Sequence, residues 1–141
     1  MTGEDIRESG KEAIFKPFGI STGMDCESIS RFESLIRKKA FLDRVFTGEE
    51  ISYCLARRNP AKHFAGRFCA KEACMKALGT GLSEGIRWRD IDIINREKGA
   101  PELILSGRAL ALMGGDGEKE KKIFLSISYG AGLAAAVVVI E

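Results

Sequence analysis

Two carboxylates and one lysine are the residues of this chain whose types and positions could support chemistry. Glu72 and Lys76 are four residues apart in an Ala- and Phe-rich segment, and Asp25 ends an alternating segment far upstream. On a helix, Glu72 and Lys76 share a face and can form an ordinary ion pair worth about 0.2–0.5 kcal/mol. Asp25 and Glu72 could instead hold Mg²⁺, which typically takes one or two carboxylates, waters and substrate phosphates, with Lys76 facing those phosphates. The residues alone leave both interpretations open.

Positive charge and glycine accompany the same segment. Arg67 and Lys71 precede Lys76, and the loop Gly79-Thr80-Gly81 could offer backbone N–H groups to an anion. A glycine directly after a helix is more often a plain C-terminal cap, so the loop is weak evidence for a binding site. None of these features decides by itself between a site and an ordinary surface.

These residues lie on a predicted central helix that runs from about Ala61 to Leu78 and stops at Gly79. Apolar or small residues cover nearly every direction of its helical wheel, which is typical of a buried helix. Burying its four charged side chains is costly unless each one is paired or bound to an ion. The conflict between the apolar surface and the charges is the first indication of a site.

Two shorter helices are predicted before the central helix. The first has an apolar stripe of Ile29, Phe32, Ile36 and Ala40 and would open with a capping box formed by Ser30 and Glu33. The second would open with a capping box in Thr47-Gly48-Glu49-Glu50 and continue through Leu55.

Strands are predicted mainly in the second half of the chain. Phe18 to Asp25 alternates as an early strand whose glycines permit close approach of a neighbour, and the later segments are 86–95, 102–105, 123–128 and 133–140. Segments 86–95 and 102–105 should form a hairpin, residues 106–113 a short helix, and 133–140 a central strand buried on both faces. This order predicts an α+β fold with an antiparallel sheet packed against the central helix.

Length and composition favour one domain without a metal–thiolate site. The 141 residues carry a net charge of only +2, so bulk electrostatics do not indicate a nucleic acid or a membrane as partner. The four cysteines form no C-x-x-C pair and are accompanied by one histidine, which argues against zinc. The absence of a signal-peptide pattern predicts a cytoplasmic protein. Residues 18–141 are expected to form the domain, and residues 1–17 an N-terminal extension that is flexible or a short surface helix.

Several motifs of this chain resemble those of a known enzyme family. They are Gly-x-Asp at residues 23–25 with Arg31 six residues on, Ala-Gly-Arg-Phe-x-Ala-Lys-Glu-Ala-x-x-Lys-Ala-Leu-Gly-Thr-Gly at 65–81, Leu-Ser-Gly-x-Ala at 105–109 and Leu-Ser-Ile-Ser at 125–128. Together they resemble the holo-acyl-carrier-protein synthases, which are 4'-phosphopantetheinyl transferases. The resemblance runs from about Gly19 to Glu141.

The resemblance implies a specific reaction. Such an enzyme moves 4'-phosphopantetheine from coenzyme A to a serine of apo acyl carrier protein and releases adenosine 3',5'-bisphosphate. Asp25 and Glu72 match the Mg²⁺ ligands, and Glu72 would also help to deprotonate the attacking serine through a bound water. Lys76 matches the residue that neutralises or protonates the leaving phosphate. Phosphoryl transfer suits this set, because it requires neutralised charge and aligned groups more than covalent help.

The resemblance also implies partners and an assembly. The family's members of this length are homotrimers with active sites between subunits. Arg31 and Arg44 match the basic residues that meet the acidic recognition helix of the carrier. The residues expected at coenzyme A are Arg67, Lys71, Gly79, Thr80, Gly81, Ser128 and Tyr129.

The chain departs from the family pattern at two places. Tyr129 stands where the family usually has a histidine near the coenzyme phosphates, and Ala100 replaces the lysine of a common Gly-Lys-Pro turn. A tyrosine hydroxyl can still donate a hydrogen bond. These departures favour an alternative, a catalytically idle relative that binds carrier protein or coenzyme A as a scaffold. A third interpretation is an unrelated α+β binding domain. For the enzyme, the carrier could serve fatty-acid synthesis or a polyketide pathway, or it could be another thiolation domain.

Overall fold

The computed structural model describes residues 19–97, 99–114 and 121–141, and the predicted N-terminal extension 1–17 lies outside the described residues. The strands are β1 Ser21–Ser28, β2 Ile91–Asn95, β3 Pro101–Leu105, β4 Ile123–Gly130 and β5 Leu133–Ile140. The helices are α1 Ile29–Leu35, α2 Lys39–Val45, α3 Gly48–Leu55, α4 Pro60–Leu78 and α5 Gly107–Met113. Two 3₁₀ turns, Leu82–Glu84 and Trp88–Asp90, join α4 to β2.

The strands form two antiparallel sheets, and the predicted α+β fold is confirmed. One sheet has the strand order β1-β5-β4, and the other is the β2-β3 hairpin. Strand β5 is central, as predicted, but it is not buried on both faces. Ala134, Ala136 and Val138 are buried toward the helix, whereas Leu133 and Val137 on the opposite face are 42% and 38% exposed.

Helix α4 is the core of the molecule and packs on the inner face of the three-stranded sheet. Pro60 occupies its first turn, and the Asn59 side chain accepts a hydrogen bond from the Lys62 N–H at 3.4 Å. Gly79 caps the other end in the left-handed region, at φ 78°. The predicted helix and its glycine stop are therefore both present, and most of its side chains are buried, in agreement with the wheel.

The contact between β1 and α4 depends on Gly23. A Cβ atom at this position would lie 1.9 Å from the carbonyl oxygen of Ala73, which no side chain can tolerate. The missing side chain lets the strand lie directly on the helix. As a result, Asp25, two residues further along the same face of the strand, is brought to the helix surface.

The observed element boundaries differ from the predicted ones in the first half of the chain. Strand β1 continues to Ser28 because it pairs along its whole length with β5, so Asp25 lies inside the strand and not at its end. The single helix predicted around 29–40 is two helices, and Ser28, not Ser30, is the N-cap, although its side chain makes no capping hydrogen bond. The break turns Phe41 toward the core, where its ring contacts that of Phe32 at a centroid distance of 6.2 Å.

Other boundaries agree more closely. The Thr47–Glu50 capping box is present, with the Glu50 N–H bonded to the Thr47 hydroxyl at 3.2 Å. The 86–95 segment is a strand only from Ile91, because Trp88–Asp90 forms a 3₁₀ turn. Within the part of the chain that the structure describes, no helix has the length and apolar character needed to span a bilayer.

Candidate functional site

Three carboxylates gather where β1 crosses the C-terminal half of α4. Asp25 and Glu27 project from the same face of β1, and Glu72 projects toward them from the helix. Partial burial raises the pKa of Glu72, the Asp25 charge raises it further, and Lys76 acts in the opposite direction. Burial also raises the pKa of Glu27, followed by the neighbouring Asp25 carboxyl, with Arg31 opposing. The cluster therefore concentrates negative charge.

Lys76 provides the cation beside Asp25, and it pairs with the strand and not with the helix. Its Nζ donates to the Met24 carbonyl oxygen at 2.9 Å and lies 3.4 Å from Asp25 Oδ1. Among the ion pairs of the described residues, none joins Glu72 to Lys76, although their spacing permits it. Lys76 and Arg31, which pairs with Glu27 at 2.6 Å, together leave the three carboxylates with an excess of one negative charge.

A buried acceptor without a partner indicates that this cluster fits a cation. Asp25 Oδ2 is buried and has no hydrogen-bond partner, a state that costs roughly 1–3 kcal/mol unless a ligand satisfies it. In the described ranges, no group of three His, Cys, Asp or Glu side chains is arranged to hold a metal ion. Mg²⁺ needs fewer, because it takes one or two carboxylates and keeps several waters. Asp25 and Glu72 are therefore a suitable donor set for this ion.

Lys71, the sequence neighbour of Glu72, has a different environment. Its burial and pairing do not fit the predicted contact with coenzyme A. Its side chain is fully buried, and its Nζ lies 2.9 Å from Glu50 Oε1. It also donates to the carbonyl oxygens of Trp88, at 3.1 Å, and Ile91. The three protons of the ammonium are thereby occupied. Lys71 holds the 3₁₀ turn and β2 on the helix and cannot reach a phosphate.

Arg67 faces another side of α4 and belongs to a second polar region. It is 3% exposed, its Nη2 donates to Asn95 Oδ1, and its Nε is buried without a partner. The guanidinium carbon lies 4.2 Å from the centroid of the Tyr53 ring. A cavity of about 170 Å³ opens beside it, lined by Tyr53, His63, Arg67, Asn95, Pro101, Ile127 and Tyr129.

This cavity brings together Arg67 and Tyr129, as the predicted coenzyme contacts require. The Tyr129 hydroxyl lies over Gly66, where a Cβ atom would be 2.5 Å away. Burial raises the pKa of Tyr129, so its hydroxyl stays protonated and can donate. Lys62 Nζ lies 4.7 Å from the centroid of the same ring, and the cavity is therefore cationic and suited to an anion. Tyr53, His63 and Asn95 were missed by the sequence analysis, because no motif connects them.

The cavity and the carboxylate cluster lie on different faces of the helix. Glu72 follows Arg67 by five residues, which is roughly 140° around the helix axis. Within one copy of the described chain, the two groups do not face a common space.

The glycine loop after α4 mainly caps the helix. The N–H groups of Gly79 and Thr80 donate to the carbonyl oxygens of Lys76 and Met75, at 3.0 and 3.1 Å. They are therefore used by the cap, and the predicted role of the Gly79 N–H in coenzyme binding does not fit. Thr80 Oγ1 is buried without a partner, so its hydroxyl remains available to a ligand, next to Gly81.

The remaining predicted site residues occupy separate surfaces. Ser128 is exposed on the outer face of β4. Arg31 pairs with Glu27 at 2.6 Å, beside the carboxylate cluster. Arg44 borders a cleft of about 610 Å³ together with Leu82, Ile86, Arg87, Trp88, Arg89 and Asp90.

Comparison with known proteins gives a consistent family. The sequence model of the 4'-phosphopantetheinyl transferase superfamily matches residues 21–118. A holo-acyl-carrier-protein synthase of Geobacter sp. (strain M21) is 46% identical over 122 residues, covering 85% of this chain and 96% of the relative. That of Geotalea daltonii is 44% identical with the same coverage.

Solved structures agree with these sequence matches. The holo-acyl-carrier-protein synthase of Helicobacter pylori in complex with coenzyme A has a TM-score of 0.72 and 34% identity, covering 85% of this chain and 99% of that one. The enzyme of Bacillus anthracis, in complex with CoA (3',5'-ADP), has a TM-score of 0.69 and 31% identity, covering 85% and 94%.

Proposed function

Because the chain belongs to the 4'-phosphopantetheinyl transferase superfamily and, within it, to the holo-acyl-carrier-protein synthases, we propose a specific reaction for it. It transfers 4'-phosphopantetheine from coenzyme A to a serine of apo acyl carrier protein, in a Mg²⁺-dependent reaction that releases adenosine 3',5'-bisphosphate. Both substrates are intracellular molecules, so the proposal places the reaction in the cytoplasm. The activity is proposed to reside in residues 18–141.

The observation that carries this proposal is the orphaned Asp25 oxygen in a cluster of excess negative charge. Asp25 Oδ2 is buried without a partner, and Glu72 has an elevated pKa beside it. Asp25 and Glu72 would hold Mg²⁺, which supplies charge neutralisation on the diphosphate when bound. A purely structural cluster would have each acceptor satisfied by a donor.

The other residues of the cluster have separate tasks in the proposed reaction. Lys76 is more than half exposed and is held on the Met24 carbonyl oxygen, so its ammonium can meet the leaving phosphate. Glu72 orients the attacking serine through a water, which its carboxylate oxygen can hold by accepting a hydrogen bond. Thr80 offers its buried hydroxyl to the coenzyme at the end of the same helix.

The cavity at Arg67 is proposed to bind a phosphate group of coenzyme A. The unsatisfied Nε of Arg67 can donate to an acceptor, and Tyr129 adds a hydroxyl donor at the position where the family resemblance implies a histidine. Lys62 and Arg57 add positive charge, since each stacks on an aromatic ring that borders the cavity. An anion in this cavity would satisfy the buried guanidinium.

The assembly is proposed to be a homotrimer whose active sites lie between subunits. Two observations support this: the cavity and the carboxylate cluster face different directions on one chain, and the outer face of the β1-β5-β4 sheet is uncharged. Its outward residues include four apolar ones that are well exposed: Met24 63%, Phe124 51%, Leu133 42% and Val137 38%. An uncovered apolar face of this kind fits a partner surface, and a neighbouring copy on it would complete each site.

The reaction can be tested directly by incubating the protein with coenzyme A, Mg²⁺ and an apo acyl carrier protein, followed by mass spectrometry of the carrier. We expect a mass gain of one phosphopantetheine, which is abolished when EDTA removes the metal. Carrier that binds without gaining mass would favour the idle scaffold over the enzyme. Neither binding nor mass gain with any acyl carrier protein would overturn the proposed substrate. Sedimentation analysis of the same sample tests the trimer.

A further inference from the structure

His63 is the only histidine of the chain, and it lines the cavity beside Arg67. Its imidazole packs edge-on against two tyrosine rings. The ring centroids of Tyr53 and Tyr129 both lie 6.1 Å from its own, with the planes inclined by 80° and 62°. Among the hydrogen bonds of the described residues, none involves this imidazole. Its ring nitrogens are therefore available to a ligand.

The surroundings of the cavity are positively charged. Arg67 is 3% exposed, and its buried Nε has no hydrogen-bond partner. Lys62 Nζ lies 4.7 Å from the centroid of the Tyr129 ring, and the guanidinium carbon of Arg57 lies 4.1 Å from that of the Tyr53 ring. No carboxylate is among the described residues that line the cavity. A cavity with this lining fits an anion.

The acidic side chains closest in the fold lie outside this cavity. Glu49 is exposed and borders an adjoining cleft of about 660 Å³ beside α3. Glu102 follows Pro101, and it pairs with Arg96 at 2.8 Å. The charges that face His63 are thus the cations of α3 and α4, and β2, β3 and β4 contribute only uncharged side chains to the lining. No carboxylate of the cavity holds a proton on the imidazole.

These cations determine the charge of His63 before a ligand binds. Burial lowers the pKa of His63 below its ordinary value of 6.5, and the charges of Lys62, Arg67 and Arg57 lower it further. The imidazole is therefore neutral at pH 7. A bound phosphate group would act in the opposite direction, because a negative charge within about 4–6 Å favours the protonated form. A cavity of only about 170 Å³ keeps such a group close to the ring.

We infer that His63 is a further ligand-binding residue of this cavity and that it takes up one proton from the solvent when a phosphate group of coenzyme A binds there. The inference rests on the proposed function, because that function supplies the anion. The protonated imidazole donates to a phosphate oxygen, together with Arg67 Nε and the Tyr129 hydroxyl. Binding and proton uptake are linked. Coenzyme A therefore binds more tightly as the pH falls from the pKa of His63 in the complex to its pKa in the free protein.

The first test follows the imidazole itself. Because the chain has one histidine, NMR of the untagged wild type reports the titration of His63 without assignment by mutation. The carbon-bound imidazole protons are followed from about pH 5 to pH 8, in the free protein and in the protein saturated with coenzyme A. We expect a midpoint below 6.5 in the free protein and a midpoint at least about one pH unit higher in the complex. A midpoint that coenzyme A leaves unchanged or lowers would overturn the inference.

The second test measures the Kd for coenzyme A by calorimetry in wild type, His63→Gln and the control Lys39→Gln. Glutamine retains a hydrogen-bonding side chain but cannot take up the proton. Lys39→Gln removes an exposed charge that pairs with Asp43 on α2, outside the cavity. We expect the ratio of the His63→Gln Kd to the wild-type Kd to rise about threefold or more from pH 8 to pH 6. The ionisation of the coenzyme phosphates cancels in this ratio.

The outcomes separate this inference from the proposed function. Support requires that the KM of His63→Gln for coenzyme A rises while kcat changes less than about twofold, because the cavity is separate from the carboxylate cluster. A Kd ratio as independent of pH as that of Lys39→Gln, or a loss of kcat at constant KM, would overturn the inference while the proposed reaction stands. Proton uptake with coenzyme A in a protein that adds no mass to the carrier would overturn only the proposed reaction.

Discussion

Lys71 and Glu72 are neighbours on one helix, and their surroundings differ completely. Lys71 is fully buried against Glu50, and each of its protons has an acceptor. Glu50 accepts, in turn, from the backbone N–H groups of Thr47 at 2.8 Å and Ile93 at 2.7 Å. Glu72, by contrast, lies among like charges, beside an Asp25 oxygen that has no partner.

The difference shows that burial alone does not separate a structural charge from a functional one. The deeper pair, Glu50 and Lys71, is neutral as a unit and closed to further ligands. The shallower cluster has an excess of carboxylates and one unsatisfied acceptor, which a structure tolerates only where a ligand completes it. The number of unsatisfied groups is thus a better criterion for a site than the depth of the charge.

The largest expected effect is a loss of stability when the buried Glu50–Lys71 pair is broken. Lys71→Met leaves Glu50 buried without its cation and should lower the free energy of unfolding by about 3–5 kcal/mol. Urea denaturation followed by circular dichroism measures this. The double variant Glu50→Gln/Lys71→Met should lose less than Lys71→Met alone, because no uncompensated charge remains. Equal losses in the two variants would mean that packing, and not charge pairing, is what Lys71 contributes.

A smaller free-energy effect, confined to activity, is expected at the carboxylate cluster of Asp25, Glu27 and Glu72. Glu72→Gln should lower kcat about a hundredfold, equivalent to about 2.7 kcal/mol of transition-state stabilisation. Its free energy of unfolding should stay the same or rise, because a charge with an unfavourable environment is removed. The matched control is Glu102→Gln, which removes an exposed carboxylate from the hairpin surface. A Glu72→Gln variant that is unstable, or as active as this control, would contradict the comparison.

Much of the fold follows from local sequence patterns. The Thr47–Glu50 capping box, the central helix with its stop at Gly79 and the 101–105 strand of the hairpin are each signalled by a few neighbouring residues. The α+β class, the family and the enzyme class are confirmed, the last two because the motif at 65–81 is long. The predicted end of β1 and the predicted single helix over 29–40 were wrong. Pairing with β5 and the position of Phe41, which set these boundaries, depend on distant parts of the chain.

The candidate site could be predicted only in part for the same reason. Glu72 and Lys76 stand out because their charges conflict with an apolar helix, and Asp25 stands out because it ends an alternating segment. Nothing in the local sequence distinguishes Lys71, whose buried acceptor Glu50 is twenty-one residues away. Asn95, which binds Arg67, is twenty-eight residues away from it. Whether a charged side chain is fully paired or left unsatisfied depends on partners from distant parts of the chain. A single sequence does not show which residues these partners are.

The smallest expected effect concerns Glu27, the third residue of the carboxylate cluster. Burial and the Asp25 carboxyl raise its pKa above the ordinary value of 4.5, despite the opposing Arg31. A carboxyl with a raised pKa binds protons more tightly in the folded state. Its contribution to stability is therefore fully present below pH 4.5 and is lost as the pH rises through the raised value. At neutral pH the ionised Glu27 opposes folding.

In metal-free protein, Glu27→Gln should accordingly raise the free energy of unfolding at pH 7, by less than about 1 kcal/mol because solvent screens this cluster. The gain should disappear as the pH falls toward 4.5, where wild-type Glu27 becomes protonated and neutral like glutamine. Urea denaturation in EDTA from pH 4.5 to 7.5 measures both quantities, with Glu102→Gln as the exposed control. A loss of stability at pH 7 would mean that the ion pair with Arg31 outweighs the repulsion. The charges of the carboxylate cluster would then be neutralised by neighbouring side chains, as they are in the Glu50–Lys71 pair.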